Sequence, residues 1–268
     1  MHEPVQQESR KREDVKFTHA IVRRPARSMV RGLTSSNLGA PDHVLALAQH
    51  DAYIEALRGC GLAVTILESD DDYPDSTFVE DTALVTPRLA IIMRPGAHSR
   101  RGETPSIERV LATFYNRIST VEPPGTADAG DILTVDEHIY IGLSRRTNQE
   151  GADQIIQFVA SVGMTGSTVP LRDMLHLKSG AAYLENGNMV LAGELFGRSE
   201  FSKYAVIHVG VTELYGANCL WLNGTVLVAS RYPIVKQAIE ARGYPTIALD
   251  MSEFRKLDGG LSCLSLRF

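Results

Sequence analysis

Short apolar stretches recur along the chain, and each follows small or acidic residues. Their length and alternation are typical of β-strands. We predict strands in six segments, namely Phe17–Arg23, Phe78–Thr86, Asp128–Val135, Gly180–Ala192, Ala217–Ala229 and Gly259–Phe268. Most neighbouring strands begin roughly 35–55 residues apart, near the range of repeated structural units. This pattern favours a propeller or ring of repeats, and a doubly wound α/β sheet is the competing architecture.

Helical periodicity marks several of the segments between these strands. The clearest helix is predicted over Asp42–Gly61, where the final glycine would stop it. Its apolar side chains would share one face, and they belong to Val44, Leu47, Ile54 and Leu57. Three further helices are predicted at Ser106–Ile118, Asn148–Val162 and Pro233–Arg242. The chain therefore alternates strands and helices, which indicates an α/β protein.

Composition narrows the class of protein and its surroundings. The 268 residues are 44% hydrophobic and 22% charged, with a net charge of −5. These values are typical of a globular protein and argue against a nucleic-acid partner. No segment is long and apolar enough to span a membrane, and residues 1–16 form a polar N-terminal extension without the apolar core of a signal peptide. Residues 17–268 are predicted to form one domain.

Three widely spaced cysteines fit neither a disulfide framework nor a zinc site. They are Cys60, Cys219 and Cys263, and they favour a reducing, cytoplasmic location. Cys263 follows a Gly-Gly pair, which permits close backbone approach. The alternating residues after Cys263 predict a final strand that would fix the thiol. Cys263 is thus a candidate nucleophile, and a small buried hydrophobe is the alternative.

Acidic side chains cluster at two predicted strand starts. Asp75, Glu80 and Asp81 could cage a planar guanidinium, and a solvated turn is the simpler interpretation. Side chains alternate along a strand, so the last two would share a direction only if the strand began at a bend. Asp128 opens a second acidic segment and could orient a histidine, or it could simply cap a turn.

His176 also precedes a predicted strand, and it is the histidine we select for acid–base chemistry. A structural role is the alternative, and the remaining histidines lack the spacing of metal ligands, so no metal is expected. Arg100 and Arg146 lie in loop-like basic pairs. They could clamp a substrate carboxylate or remain solvated. No phosphate-binding or dinucleotide motif is present.

Together these segments resemble the dimethylarginine dimethylaminohydrolase family of guanidino-group-modifying enzymes. The likeness runs from about residue 17 to residue 268. The motifs that carry it are Arg27-Ser-Met-Val-Arg-Gly-Leu33-Thr-Ser-Ser36, Phe78-Val-Glu-Asp81, Arg94-Pro-Gly-Ala-His-Ser-Arg-Arg-Gly-Glu103, Arg146-Thr-Asn148, Leu175-His-Leu-Lys178 and Asp258-Gly-Gly-Leu-Ser-Cys263. Six motifs in the family's order make the resemblance specific.

The resemblance implies a fold and a set of site residues. The fold is a five-bladed α/β propeller, or pentein, in which five ββαβ units surround a pseudo-fivefold axis. By similarity, Cys263 is the nucleophile, His176 the general acid and base, and Asp128 its orienting partner. The implied substrate-binding residues are Leu33 on a closing loop, the acids Asp75, Glu80, Asp81 and Asp258, the carboxylate-binding pair Arg100 and Arg146, and Phe78, Leu257 and Ser262.

The resemblance further implies hydrolysis of asymmetric Nω-methylated arginines to citrulline and an amine. The expected route is a covalent thiouronium on cysteine, with no cofactor, and the expected partner is the small-molecule substrate. A homodimer is one assembly compatible with the sequence. Arginine deiminase or a related amidine hydrolase is the first alternative, although that family carries an extra helical insertion. A non-catalytic binding protein on the same ring is the second.

Overall fold

The computed structural model describes residues 17–268, and within them the strands form five separate three-stranded sheets. In chain order, the strands are β1 (His19–Arg23), β2 (Ala63–Leu67), β3 (Ala83–Val85), β4 (Ala90–Ile92), β5 (Ile118–Thr120), β6 (Ile132–Val135), β7 (His138–Leu143), β8 (Thr165–Pro170), β9 (Ala181–Tyr183), β10 (Asn188–Ala192), β11 (Ala205–Val209), β12 (Leu220–Leu222), β13 (Thr225–Ala229), β14 (Thr246–Leu249) and β15 (Leu266–Arg267). The predicted α/β class is confirmed.

Every sheet has the same strand plan, and four of the five belong to complete ββαβ units. The middle strands are β1, β4, β7, β10 and β13, and each pairs antiparallel with one neighbour and parallel with the other. A parallel pair needs a crossover connection. Helices α1 (His43–Gly59), α2 (Thr104–Leu111), α3 (Gln149–Ala160) and α4 (Pro233–Glu240) provide four of them. In the unit of β9–β11 the crossover consists of two 3-10 turns, Gly193–Leu195 and Ser199–Phe201. The five-bladed prediction is confirmed.

The first unit is completed by the last strand of the sequence. Strand β15 pairs antiparallel with β1, with Ile21 opposite Leu266. The backbone N–H groups of Thr18 and His19 both donate to the Phe268 carbonyl, at 2.8 and 2.7 Å. Cys263, which lies just before β15, is therefore anchored to the unit that opens the described chain.

Helix α1 follows its predicted bounds but not its entire predicted face. Asp42 caps it by accepting hydrogen bonds from the N–H groups of the first turn, and Gly61 follows its end with a φ of 90°. Ile54 and Leu57 are buried as predicted. Val44 is 76% exposed because it lies on the opposite side of the helix from the buried stripe, which runs through Ala46, His50, Tyr53 and Leu57. A short fifth helix, α5 (Ser252–Arg255), precedes the cysteine segment.

Short 3-10 turns lie at or just before four of the six predicted strand starts. Val79–Thr82, Ala129–Asp131, Leu177–Ser179 and Ser262–Leu264 each form such a turn before the next strand begins. Four turns of this kind bring chemically active side chains to the middle of the ring. The sequence prediction placed three of these turns inside strands, and Leu177–Ser179 just before one, because a turn of three or four residues leaves no periodic pattern.

Two predicted strands are hairpins. Gly180–Ala192 divides into β9 and β10, and Ala217–Ala229 divides into β12 and β13. The second hairpin turns at Asn223-Gly224, where both residues have positive φ values of 48° and 91°. Such a turn matches the twist of paired strands. Apolar clusters lie between neighbouring units, and no helix within residues 17–268 has the length and apolarity to cross a membrane.

Candidate active site

A small pocket of about 50 Å³ opens where the five units converge. Each of the five units contributes at least one residue to the pocket lining. The lining residues are Glu80, Gly130, His176, Lys178, Ser179, Tyr215, Asn218, Asp258, Gly260, Ser262 and Cys263. Five of them were predicted from sequence: Glu80, His176, Asp258, Ser262 and Cys263.

Cys263 lies on the 3-10 turn before β15, with a partly buried side chain. Its Sγ accepts a hydrogen bond from the Gly260 N–H at 3.3 Å. Burial, followed by the negative charges of Glu80 and Asp81, raises the pKa of the Cys263 thiol to about 12. The ligand-free thiol is therefore neutral at physiological pH, although it is fixed in the pocket.

His176 lies beside the same pocket and is held by Asp128. The imidazole Nε2 donates to the Asp128 carboxylate at 3.2 Å, and this carboxylate is completely buried. Burial disfavours the charged ring, but the neighbouring carboxylates outweigh it and raise the pKa of His176 to about 9. They belong to Asp81, Asp131 and Asp128. The geometry provides a protonated imidazole at neutral pH.

Asp128 is also fixed from its other side. Its second oxygen accepts the Gly96 N–H at 2.9 Å. Burial alone would raise the pKa of this carboxyl, but the hydrogen bond and charge of His176 hold it below its ordinary value. Arg146 approaches the same carboxylate, with its Nη1 3.7 Å from Oδ2. Asp128 is therefore an ionised partner behind the imidazole.

Asp81 and Arg100 form a buried pair beneath the pocket. Arg100 Nη1 donates to Asp81 at 2.5 Å, and Arg100 Nε and Nη2 donate to Glu103 at 3.0 and 2.8 Å. The side chain also donates to the carbonyls of Asp75 and Phe78. A carboxylate ligand would have to share Arg100 with these acceptors, so its predicted grip on substrate stays a prediction.

Glu80 lines the pocket, but each of its oxygens already has a partner. Lys178 Nζ and Arg267 Nη2 donate to one oxygen at 2.7 and 2.8 Å. The Ser262 hydroxyl donates to the other at 2.7 Å. Burial would raise the pKa of Glu80, yet the two cations lower it. Glu80 is an ionised, saturated carboxylate whose charge is balanced within the protein.

The turn Val79–Thr82 also explains how adjacent acids can serve one site. On a strand, Glu80 and Asp81 would point to opposite faces. On the 3-10 turn both are buried, and Asp81 reaches the Gly130 N–H at 3.1 Å and lies 4.0 Å from His176 Nδ1. The bend that the sequence analysis required is therefore present.

A loop containing Leu33 is tied across the pocket rim. The Leu33 N–H donates to Asp75 at 2.9 Å, and burial raises the pKa of this Asp75 carboxyl. The N–H and hydroxyl of Ser35 donate to Asp258 at 2.5 and 2.9 Å. Leu33 itself is 40% exposed, so its side chain is available to an incoming ligand.

Three further predicted residues are packing or framework positions in this structure. Phe78 is buried, and a Cβ on Gly259 would lie 2.2 Å from its ring. Leu257 is buried beside Gly32. Ser262 is buried and connects Glu80 to the nucleophile turn. The close backbone approach predicted for the Gly-Gly pair is confirmed.

The structure brings the predicted catalytic set together, and Arg146 and Arg100 each approach one of the two carboxylates beside His176. Arg146 is 19% exposed at its side chain and faces Asp128, whereas Arg100 is buried beneath the pocket. The ligand atoms of Asp81, Asp128 and His176 lie within 4.8 Å of one another, close enough to hold a metal ion. Two guanidinium groups already contact these carboxylates, and their positive charge opposes a divalent cation there.

Sequence reasoning assigned no role to four residues in or around the pocket, namely Asp131, Lys178, Tyr215 and Asn218. Asp131 accepts bonds from Ser144, Thr147 and the Leu177 N–H, and burial raises its pKa to about 6. Lys178 and Asp131 lie inside segments that the sequence singled out. Tyr215 and Asn218 carry no local signal, because their roles depend on distant segments.

Comparisons with known proteins find similar chains. A family model described as "N,N dimethylarginine dimethylhydrolase, eukaryotic" matches residues 41–195. A dimethylarginine dimethylaminohydrolase of Pseudomonas aeruginosa is 51% identical over 253 residues, which cover 94% of this chain and 100% of that protein. Its counterpart in Streptomyces coelicolor is 37% identical, covering 92% and 96%.

Solved structures show the same relation. A cysteine-to-serine variant of the Pseudomonas aeruginosa enzyme, complexed with citrulline, superposes with a TM-score of 0.94 at 50% identity, covering 95% of this chain and 100% of that one. The N-terminal domain of the arginine dihydrolase ArgZ matches with a TM-score of 0.84 at 17% identity, covering 94% and 97%. The second likeness shows a shared fold.

Proposed function

The chain belongs to the dimethylarginine dimethylaminohydrolase family, and we propose that its pocket carries out the reaction for which that family is named. The protein hydrolyses asymmetric Nω-methylated arginines to citrulline and dimethylamine or methylamine. The observation that carries the proposal is the joint placement of Cys263 and His176 in a pocket surrounded by carboxylates. A thiol, an imidazolium and an acidic cage are the groups this reaction needs.

Binding of the cationic substrate is the first step. Asp258, which lines the pocket, holds the guanidinium through charge-assisted hydrogen bonds, Asp81 contributes negative charge from behind Gly130, and Arg146 holds the α-carboxylate. Glu80 is saturated by its own cations, so we assign it to shaping the pocket through Ser262. Fixing the guanidinium flat beside sulfur converts attack into an effectively unimolecular step.

The substrate's charge then activates the nucleophile. A guanidinium beside sulfur offsets the carboxylates that raise the pKa of Cys263, so the thiol releases its proton to water. The thiolate adds to the guanidinium carbon. His176, already an imidazolium, gives its proton to the departing amine as the carbon–nitrogen bond breaks.

Hydrolysis of the thiouronium completes the cycle. Neutral His176 takes a proton from water, and the oxygen adds to the carbon bonded to sulfur. The carbon–sulfur bond then breaks as the hydroxyl of the adduct becomes the carbonyl of citrulline, and the proton lost from this hydroxyl goes to the departing sulfur, which restores the neutral thiol. Asp128 stabilises the imidazolium that forms in this step. Acid–base catalysis of this kind contributes on the order of 10²–10⁴ in rate.

Product analysis with matched substrates tests the activity. The protein is incubated with asymmetric dimethylarginine, monomethylarginine, arginine and agmatine, and citrulline and released amine are quantified. We expect citrulline and an equal amount of methylated amine from the first two substrates. Ammonia release from arginine at a higher rate would contradict the proposal and indicate a deiminase. Binding without turnover of any substrate would indicate a binding protein.

The Cys263→Ser variant tests the nucleophile within this activity. We expect binding to persist and turnover to vanish, because a hydroxyl is a far weaker nucleophile at neutral pH. Cys60→Ser is the control, since Cys60 follows the end of α1 away from the pocket. Mass spectrometry of acid-quenched wild-type protein should find the adduct on Cys263. An adduct on Cys60 or Cys219 would contradict the assignment.

We also propose that residues 17–268 act as one catalytic domain in a reducing compartment such as the cytoplasm. All five units contribute to the pocket, so no smaller part holds the complete site. Cys60, Cys219 and Cys263 are unpaired. Residues 1–16, predicted as a polar extension, lie outside the described residues.

A further inference from the structure

Asn218 occupies a central place in the pocket although the reaction assigns it no chemical step. It follows the 3-10 segment Val211–Ala217 and precedes β12. Asn218 is 7% exposed and lines the pocket together with His176 and Cys263. A buried amide is expected to have its hydrogen bonds satisfied, and the partners of these bonds indicate the role of Asn218.

The amide of Asn218 joins two separate catalytic segments. Its Nδ2 donates to the Lys178 carbonyl at 2.9 Å, two residues after His176. Its Oδ1 accepts the Ser262 N–H at 3.0 Å, and Nδ2 also donates to the Ser262 hydroxyl at 3.0 Å. Ser262 immediately precedes Cys263. One side chain thus contacts both the acid–base segment and the nucleophile segment.

The same amide packs against the backbone that holds the sulfur. A Cβ on Gly260 would lie 2.5 Å from the Asn218 Cγ, so the two groups are in close contact. The Gly260 N–H is the donor to the Cys263 Sγ. Ser262 is fixed from both sides, because its hydroxyl accepts from Asn218 and donates to Glu80.

We propose that Asn218 is a positioning residue, which sets the placement of Cys263 relative to His176 by bridging Ser262 and Lys178. The inference rests on the proposed function, because it takes the thiol and the imidazole as the reacting groups. Substrate carbon must lie within attack distance of sulfur while its leaving nitrogen faces the imidazolium. A shift of about 1 Å in either segment can cost about 10²-fold in rate.

The isosteric variant Asn218→Asp separates positioning from packing. A carboxylate keeps the shape of the amide but cannot donate to the Lys178 carbonyl or the Ser262 hydroxyl. We expect kcat to fall about 10²-fold while KM for dimethylarginine changes less than threefold, because Asp81, Asp258 and Arg146 are untouched. Asn218→Ala adds no charge and should show the same division between kcat and KM.

Asn223 offers a matched control elsewhere in the molecule. Its Oδ1 accepts the Phe17 N–H at 2.9 Å, and its Nδ2 donates to the carbonyls of Phe17 and Cys60 at 2.8 and 2.9 Å. Like Asn218, it therefore bridges two backbone segments through three hydrogen bonds, but it does not line the pocket. Asn223→Asp should lower the melting temperature as much as Asn218→Asp but keep kcat within twofold of wild type.

A double-mutant cycle with Ser262→Ala tests the route of the effect. If Asn218 acts through Ser262, the two losses in kcat will not add. Equal kcat losses in the Asn218 and Asn223 variants, a change confined to KM, or failure of both Asn218 variants to fold would overturn the proposal. Wild-type protein that releases no citrulline would instead contradict the proposed function, so the two failures are distinguishable.

Discussion

Single carboxylates around the pocket differ in what balances their charge. Glu80 is paired with two cations of the protein, and Asp128 with the imidazolium of His176. Asp258 accepts hydrogen bonds from the N–H and hydroxyl of Ser35 on the rim loop, and no cation within residues 17–268 forms an ion pair with it, so its charge is the most open to a cationic ligand. Beside them, burial and the negative charges of Glu80 and Asp81 leave the thiol of Cys263 in a negative field until substrate arrives.

The titration of Cys263 follows from that field. In ligand-free protein, the alkylation rate at Cys263 should rise with pH through and beyond neutrality, because the thiolate fraction grows towards a pKa of about 12. Iodoacetamide labelling, read by peptide mass spectrometry at Cys263, measures this. A standing thiolate–imidazolium pair would give a plateau, with an inflection well below neutral. Such an inflection would rule out activation by substrate.

Arg146 allows a second prediction about a single side chain. Arg146→Ala should raise KM for methylated arginine about ten- to a hundredfold, since a charge-assisted hydrogen bond contributes roughly 1.5–3 kcal/mol. A methylated agmatine, which lacks the carboxylate, should be affected much less. Arg145→Ala is the control, because this neighbouring arginine is exposed. An equal loss with both substrates would mean that Arg146 serves the structure around Asp128.

The chemically active side chains of the units lie on or beside short turns rather than on strands. The sequence pattern predicted strands and helices wherever several residues followed one periodicity, as in α1 and β6. It did not predict the 3-10 turns, because three residues show no period, nor the role of Asn218, whose partners are 40 and 44 residues away. The resemblance located Cys263, His176 and Asp128, whereas their hydrogen-bond partners required the fold.

The close contact between the loop of Gly96 and the loop of Arg146 gives a testable prediction. A Cβ on Gly96 would lie 2.4 Å from the Arg146 carbonyl oxygen, so Gly96→Ala must displace backbone. The Gly96 N–H also orients Asp128. We expect at least a tenfold loss of kcat/KM and a lower melting temperature. Gly59→Ala is the control, because nothing lies near its Cβ position and alanine favours a helix. Unchanged activity in Gly96→Ala would show that the loops move independently.

Ring closure links the stability of the complete molecule to its activity. The last strand, β15, completes the sheet of β1 and β2, and it begins three residues after the nucleophile. Leu266, at the centre of this junction, is 2% exposed and packs in the cluster shared with the second unit. Opening the ring there would remove Cys263 from its four partner units.

Leu266→Ala tests this coupling. The lost methyl groups and the cavity they leave should reduce the free energy of unfolding by about 2–5 kcal/mol. Loss of activity and loss of circular dichroism in urea should shift together, because the junction holds both the sheet and the nucleophile. Val211→Ala, at an 86% exposed position, should leave both transitions unchanged. Activity that survives after the dichroism is lost would contradict the coupling.

The separation of the five sheets has a consequence for how such a protein can diverge. Each sheet completes its backbone hydrogen bonds internally, whereas the pocket is assembled from turns at the centre. Substitutions at exposed positions of the outer helices and strands therefore leave the central turns in place. The ArgZ domain retains the ring at 17% identity, which is the tolerance this arrangement allows. Side chains at the centre can therefore differ between proteins whose sheets keep the same arrangement.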